Sequence, residues 1–154
     1  MTKYYAGIGS RRTPPNILSE ITRVAGRLCN MDYIVRSGGA DGADKAFTDK
    51  LPAEACVILK AKDATPAAIK MASTIHPAWH LCDDYARKLL GRNCMIILGA
   101  NLDEPADFVI CWMDPVATRG GTLLGVNLAK SRDIPIYNLA EGGDYRRLHD
   151  EQGL

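Results

Sequence analysis

The sequence predicts a three-layer α/β fold, in which about five mainly parallel strands form a sheet with helices on both faces. Short apolar runs typical of buried strands alternate with longer segments whose apolar residues recur at helical spacing. Most of the runs end in glycine or in a polar turn. A chain of 154 residues has the size of one domain and can bury a core, so we expect a single domain over residues 1–154.

The first third of the chain contains two strands, each followed by a helix. Residues 4–9 (YYAGIG) and residues 33–36 (YIVR) are short apolar runs of the kind that forms buried strands. A pair of prolines precedes residues 16–31, whose apolar side chains predict a helix, and proline is well tolerated in a first helical turn. A glycine-rich turn follows the second run, and residues 42–51 then predict a shorter helix.

The middle of the chain predicts one strand and two helices. Residues 55–60 (ACVILK) read as a strand because they include β-branched residues. Residues 63–74 predict a helix with Thr65 as its N-cap, since a proline follows at the first helical position. Residues 76–83 are irregular. Residues 84–100 mix helix and strand signals, and because their apolar residues share one helical stripe we predict a continuous helix.

The last third predicts a strand at 107–112 (DFVICW), a helix at 122–132 and a strand at 134–139 (IPIYNL). Residues 140–154 form a polar tail that we expect to pack only partly. Alternating strands and helices imply right-handed crossovers and a parallel sheet. The predicted fold is therefore Rossmann-like, with the strand order 3-2-1-4-5.

Composition and charge narrow the classes of function. The formal net charge is +1, so no global field favours nucleic acid or an acidic membrane, although a local basic patch stays open. The five cysteines have no metal-site spacing and lie among apolar neighbours, which is typical of core residues in a reduced compartment. No apolar run reaches the roughly 20 residues that span a bilayer, and the N-terminal residues lack the apolar region of a signal peptide. We therefore expect a cytoplasmic protein with no membrane partner, no metal and no cofactor.

Three glycine-bearing turns follow the predicted first, second and fourth strands, at residues 7–12 (GIGSRR), 37–42 (SGGADG) and 118–122 (TRGGT). Ligands of such sheets bind beyond the carboxyl ends of the strands. We therefore expect these turns to meet there and to offer backbone N–H groups and helix N-termini to an anion such as a nucleotide phosphate. With one residue from the helix at 84–100, the candidate ligand-binding residues are Gly7, Gly9, Ser10, Arg11, Ser37, Gly38, Gly39, Ala40, Asp41, Gly42, Arg92, Arg119, Gly120, Gly121 and Thr122.

The turns match neither of the common nucleotide-binding motifs. Arg12 stands where G-x-G-x-x-G requires its last glycine, and no G-x-x-x-x-G-K-[ST] occurs, which excludes a P-loop ATPase. Ser10 and Arg11 can join the backbone in holding a phosphate, since arginine often binds phosphate through two hydrogen bonds. Glycine also serves turn geometry alone, and Arg11 and Arg12 can be solvated loop charges, so both interpretations stay open.

Two further groups of polar residues have alternative interpretations. His76, Trp79 and His80 lie in an irregular segment, where they suit contacts to a base or a ribose. A buried tryptophan and a hydrogen-bonded histidine would explain them as well. Arg92 and Asn93 lie within a predicted helix among apolar neighbours. They reach a ligand if that helix faces the cleft, and are surface residues if it does not.

The segments YAGIGSRRTPPNIL, RSGGADGADKAF, HPAW, DFVICW and GGTLLGVNLAK, with the pair RN at 92–93, occur together in this chain. Across residues 4–140 they resemble the SLOG superfamily, which unites the DNA-processing protein DprA, the LOG phosphoribohydrolases and many small phage and bacterial proteins. The similarity is greatest to the small stand-alone DprA-like or YpsA-related group. It implies a nucleotide-binding fold and a homo-oligomer, a dimer or larger.

The resemblance also implies LOG-like chemistry, which is cleavage of the N-glycosidic bond of a nucleoside monophosphate. Gly121 and Thr122 match part of the LOG motif P-G-G-x-G-T-x-x-E, whereas Gly125 stands in place of the glutamate. A carboxylate normally stabilises the oxocarbenium-like charge or activates water in such reactions. Asp44 and Asp114, which follow the second and fourth strands, are therefore the candidate catalytic residues. Asp44 can equally be a charge that balances a helix dipole.

We therefore expect the chain to bind a nucleotide or a nucleotide derivative, and three functions stay open. The first is an atypical N-glycosidase, a hydrolase that lacks the motif glutamate. The second is a non-catalytic nucleotide sensor or sequestering protein. The third is DprA-like binding or processing of single-stranded DNA, which is less favoured because the net charge is near neutral and aromatic residues make up 6% of the chain.

Overall fold

The computed structural model describes residues 1–154 and contains one sheet of five strands, in which every neighbouring pair is parallel. The order is β3-β2-β1-β4-β5, which confirms the predicted fold class and strand order. The strands are β1 (Lys3–Gly9), β2 (Tyr33–Ser37), β3 (Cys56–Ile58), β4 (Val109–Trp112) and β5 (Ile136–Asn138).

Six helices surround the sheet, and short 3-10 turns occur at Ala53–Ala55, Ala61–Asp63 and Trp79–Leu81. None of the helices combines the length and the apolarity that crossing a lipid bilayer demands. The helices are α1 (Pro15–Asn30), α2 (Ala43–Thr48), α3 (Pro66–Ile75), α4 (Asp84–Leu98), α5 (Gly121–Ser131) and α6 (Gly142–Gln152).

Each face of the sheet has its own apolar cluster, which gives the three layers. Helices α1, α2 and α6 pack on one face, where the rings of Tyr5 and Phe108 stack with centroids 5.5 Å apart and Tyr137 meets Phe108 edge to face. Helices α3, α4 and α5 cover the other face around Ile8 and Ile97. The chain thus leaves β1 toward one face and β4 toward the other, so the crossover point of the fold lies between the ends of these two strands.

Short capping signals fix the helices on the second face. Thr65 accepts a hydrogen bond from the Ala68 N–H at 3.2 Å, which confirms the predicted N-cap of α3. Asp83 caps α4 in the same way, through the Ala86 N–H at 2.8 Å. Helix α4 then runs without a break to Gly99, whose φ of +87° ends it, so the predicted continuous helix is confirmed.

The C-terminal tail packs only partly, as predicted, but most of it forms α6, a helix that the sequence did not predict. Leu148 is fully buried against the sheet, and the Tyr137 hydroxyl donates a hydrogen bond to Glu151 Oε1 at 2.7 Å. Leu148 is the one buried residue of α6, so the sequence shows almost no helical apolar pattern there. Strands β3 and β5 have three residues each and are shorter than predicted.

Candidate functional site

A cleft of about 620 Å³ opens at the carboxyl ends of the central strands. One side consists of the segments that follow β1, β2 and β4. The other consists of the segment that follows β3, the irregular segment before α4, and α4 as far as Asn93. This is the crossover point of the sheet, where ligands of doubly wound folds bind.

The turn between β2 and α2 (residues 37–42, the β2 turn) forms the floor of the cleft. The Ser37 hydroxyl donates a hydrogen bond to the Gly7 carbonyl at 2.6 Å, which ties the start of the turn to β1. Gly39 and Gly42 have φ values of +74° and +89°, a conformation that favours glycine. A Cβ at Gly42 would also lie 2.7 Å from the backbone of the loop after β1, so the two loops pack directly on each other.

Arg92 of α4 holds the β2 turn from the opposite side. Its Nη1 donates to the carbonyl oxygens of Gly38 at 3.0 Å and Leu59 at 2.7 Å, and its Nε donates to Asn93 Oδ1 at 2.9 Å. The residue is only 8% exposed, belongs to none of the ion pairs of the chain, and has its pKa lowered by burial. A buried cation whose hydrogen-bond partners are all neutral is energetically costly. The nearby Asp44 charge offsets that cost only in part, since the pKa of Arg92 remains lowered, so this guanidinium favours an anion in the cleft.

Asp44 places one carboxylate in the same cleft. Its side chain is 7% exposed, and its Oδ2 accepts a hydrogen bond from the Ala40 N–H at 3.3 Å. Burial raises the pKa of Asp44 to about 6, against the opposing effects of that N–H group and of the Arg92 charge. A Cβ at Gly38 would lie 2.7 Å from Arg92 Nη1 and 2.8 Å from Asp44 Oδ2, so a glycine separates the two charged groups.

The loop between β4 and α5 (residues 113–120, the β4 loop) leads into the remaining side of the cleft. It ends at Gly120, whose φ is +113°, and no side chain caps α5. The N–H groups of Gly121 and Thr122 have no acceptor within the helix, and both residues line the cleft. The positive end of the α5 dipole therefore lies at the cleft and favours an anion there.

Ten of the predicted site residues line the cleft, so the three glycine-bearing turns do meet at one edge of the sheet. Arg92, which is one of these ten, and its neighbour Asn93 both line the cleft, so α4 faces the cleft rather than placing the two residues at the protein surface. The ten residues are Gly9, Arg11, Gly38, Gly39, Ala40, Asp44, Arg92, Gly120, Gly121 and Thr122.

Seven predicted site residues lie outside the cleft lining, namely Gly7, Ser10, Ser37, Asp41, Gly42, Asp114 and Arg119. The Ser10 hydroxyl accepts a hydrogen bond from the Arg12 N–H at 2.9 Å, so it stabilises its own turn. Asp41 forms an exposed ion pair with Lys45 at 2.9 Å. The side chains of Ser10 and Asp41, which the sequence predicted to contact a ligand, are thus bonded to nearby residues of the chain.

The two predicted residues of the β4 loop lie at the surface beside the cleft. Asp114 Oδ1 accepts a hydrogen bond from the Val116 N–H at 3.1 Å, which closes a turn within the loop. The Arg119 side chain is exposed. The structure therefore separates Asp114 from Asp44, the other candidate catalytic carboxylate, which lies in the cleft.

Two glycines that the sequence associated with the site are explained by packing. A Cβ at Gly7 would lie 2.5 Å from the ring of Phe47. Gly125, where the LOG motif has glutamate, is buried, and a Cβ there would lie 3.0 Å from Ile8 Cδ1. Residue 125 therefore lies in the core, where α5 packs against the sheet.

Sequence reasoning missed most of the opposite wall, which includes Lys60, Ala61, Cys82, Tyr85, Ala86, Leu89 and Leu90. A signal was available for part of it. Tyr85 and Leu89 lie seven and three residues before Arg92, so the three share one helical stripe. Once Arg92 is placed in the cleft, the helical spacing predicts that Tyr85 and Leu89 line the cleft as well.

The irregular segment before α4 divides between the cleft and the surface. His76 lines the cleft, and its Nδ1 accepts a hydrogen bond from the Ala78 N–H at 3.1 Å. Trp79 packs beneath the Arg87 guanidinium, whose carbon lies 5.1 Å from the ring centroid, and His80 is exposed. No group of three or more His, Cys, Asp or Glu side chains is close enough together to hold a metal ion.

Comparison with known proteins gives a similarity in fold. No family model matches the sequence, and no curated protein matches it. The fold is similar to that of DNA processing protein A (DprA) from Helicobacter pylori, a protein that binds single-stranded DNA. The two structures agree with a TM-score of 0.60 at 20% sequence identity, over 99% of this chain and 74% of that one. The similarity supports a DprA-like, Rossmann-like fold.

Proposed function

We propose that this chain binds nucleotide phosphate in the cleft, in the manner of a DprA-like protein, and that single-stranded DNA supplies the phosphate. The proposal rests on the buried guanidinium of Arg92. Its hydrogen-bond partners are carbonyl and amide oxygens, and it forms no ion pair with a carboxylate. An anion beside it would offset the cost of that buried charge. The free N–H groups at the start of α5 favour an anion at the same place.

Two observations favour single-stranded DNA as the source of the phosphate. The first is the similarity of the fold to that of a protein that binds single-stranded DNA. The second is a basic surface around the cleft, although the whole chain is almost neutral. The cleft is lined by three basic side chains, Arg11, Lys60 and Arg92, and by one acidic side chain, Asp44. Such a local excess of positive charge suits a nucleic-acid backbone.

A second candidate function is binding of a free nucleotide with slow cleavage of its N-glycosidic bond. The observation that favours it is Asp44, a buried carboxyl group in the cleft whose pKa burial raises to about 6. A carboxyl group that titrates close to neutral pH is suited to general acid–base catalysis. This candidate gives Asp44 the role that the glutamate has in the LOG motif.

The test is fluorescence anisotropy with a labelled single-stranded oligothymidylate and with a duplex of equal length, at several salt concentrations. We expect the single strand to bind and its affinity to fall as salt rises. Replacing Arg11, which lines the cleft, by alanine should weaken binding and lower the salt slope by about one. Arg27→Ala is the matched control, because Arg27 is an exposed arginine in the last turn of α1, at the opposite edge of the sheet.

Three results would decide between the candidates. Binding of the single strand that depends on Arg11 and not on Arg27 supports the main proposal. Absence of strand binding, together with calorimetric binding of nucleoside monophosphates and release of free base, supports the second candidate. If neither ligand binds, both candidates are wrong.

A further inference from the structure

Helix α4 presents a graded stripe of side chains to the cleft. Tyr85, Leu89 and Arg92 all line the cleft and lie on one face of the helix, because their spacing is four and three residues. The helix rises by about 10 Å from the first to the last of them. Arg92 lies beside the β2 turn at the cleft floor, and the mainly exposed ring of Tyr85 lies toward the mouth. The stripe thus changes from aromatic to aliphatic to cationic along the depth of the cleft.

Tyr85 makes none of the contacts that would explain it as a structural residue. Its side chain is 65% exposed, although other aromatic residues of the chain, such as Tyr5 and Phe108, are buried in the core. It belongs to none of the aromatic pairs, and its hydroxyl group makes no hydrogen bond. An exposed aromatic side chain that lines a cleft, and that has no aromatic or hydrogen-bond partner within the fold, is available for contact with a ligand.

The surroundings of Tyr85 suit a planar, uncharged group. The nearest cleft residues in sequence are Cys82, Ala86 and Leu89, none of which has a carboxylate. The carboxylate of the cleft, Asp44, lies on the β2 turn side, where it flanks the same glycine as Arg92. Arg92 and Asp44 thus lie beside the β2 turn at the floor of the cleft, whereas the cleft residues nearest to Tyr85 in sequence are uncharged.

We propose that Tyr85 is the platform on which the base of the bound nucleotide stacks, with Leu89 completing the apolar surface between the base and the phosphate end at Arg92. This inference rests on the proposed function, because it requires a nucleotide in the cleft. The subsite takes the planar heterocycle of any nucleotide, since stacking is available to every base. A free nucleotide and a nucleotide within a single strand present the same group to it.

The experiment compares ligands that share the phosphate and differ in the base. Isothermal titration calorimetry is run with AMP and with ribose 5-phosphate, and anisotropy with an oligothymidylate and with an abasic strand of equal length. The proteins are the wild type, Tyr85→Ala, Tyr85→Phe and Leu81→Ala. Leu81 is the matched control, because it is an exposed apolar residue four positions earlier in the chain that does not line the cleft. Thermal unfolding checks that each variant is folded.

We expect Tyr85→Ala to weaken binding of AMP or of the oligothymidylate by about ten- to a hundredfold and to leave ribose 5-phosphate and the abasic strand unchanged. Tyr85→Phe keeps the ring and should bind like the wild type, as should Leu81→Ala. Equal losses for ligands with and without a base would overturn the inference, as would no loss at all. If the wild type binds ribose 5-phosphate as tightly as AMP, the subsite is wrong and the proposed function stands. If it binds none of the four ligands, both are wrong.

Discussion

The β2 turn and the β4 loop both follow central strands at the cleft, but the rest of the molecule holds them differently. The β2 turn is bonded to β1 through Ser37, to α4 through Arg92 and to α2 through Asp44. The β4 loop is held mainly at its first residue, Met113, whose N–H and carbonyl groups both bond to the Asn138 side chain, at 3.0 and 2.9 Å.

Each of these regions has an associated arginine among the predicted ligand-binding residues and one of the two predicted catalytic aspartates. Arg92 and Asp44, at the β2 turn, are buried, and each is hydrogen-bonded to the backbone of that turn. Arg119 and Asp114, in the β4 loop, are exposed and outside the cleft lining. Charged residues that border the turns after neighbouring parallel strands can therefore differ in preorganisation, which is the property that makes a charge effective in binding.

The largest expected effect comes from removing the buried arginine. Arg92→Met leaves the Gly38 and Leu59 carbonyl oxygens without their donor, so the free energy of unfolding should fall by about 2–4 kcal/mol. Phosphate-dependent ligand affinity should fall by about a hundredfold. Urea unfolding and calorimetric titration measure the two changes. Arg119→Met is the control and should alter neither quantity as much, and equal effects of the two substitutions would contradict the comparison.

A smaller effect is expected in the pH dependence of stability, to which Asp44 should contribute and Asp114 should not. The pKa of Asp44 is raised from 3.8 in the unfolded chain to about 6 in the folded protein. Between these values the folded state keeps a proton that the unfolded state has lost, so the free energy of unfolding decreases as pH rises from about 4 to 6. The decrease between pH 4 and pH 6 should be about 2 kcal/mol, and it should be absent from Asp44→Asn.

Urea unfolding of the wild type, Asp44→Asn and Asp114→Asn across this pH range measures that difference. Asp114→Asn should keep the slope of the wild type, since Asp114 is exposed. An identical slope in Asp44→Asn would show that the Asp44 carboxyl group is not shielded from solvent in the folded protein.

The smallest expected effect is that of the exposed arginine. Arg119→Ala should leave thermal stability unchanged and reduce affinity for a nucleotide or a single strand by about two- to fivefold, because exposed charges contribute little each. The effect should vanish at high salt. A loss as large as that of Arg92→Met would mean that the β4 loop closes over the ligand and brings Arg119 into the cleft.

The sequence predicted the sheet well because its strands are short apolar runs separated by helices with clear caps. Thr65 before its proline and the apolar stripe of α4 are local sequence signals, and the structure confirms the N-cap and the helix that they predict. Helix α6 was missed because it buries one side chain, Leu148, against a sheet that only the fold creates. The convergence of the glycine-bearing turns followed from the parallel topology alone.

The roles of individual side chains in the turns were harder to predict. Serine is a common phosphate ligand, but the hydroxyl groups of Ser10 and Ser37 are hydrogen-bonded to neighbouring backbone. Which partner a hydroxyl group binds depends on distances that are known only from the folded structure. Tyr85 was overlooked for the opposite reason, since an aromatic residue in an amphipathic helix is most often part of a core. Its exposure is visible only in the folded chain.

The central position of β1 also determines when the cleft can form during synthesis. Tyr4 pairs with Ile34 on one side, whereas Ala6 pairs with Val109 on the other, near the far end of the chain. A nascent chain can therefore form the β1–β2 pair early, but one edge of β1 remains without a partner until β4 has left the ribosome. The β2 turn can thus form before α5 is available, and the cleft lacks part of its lining until Thr122 has also left the ribosome.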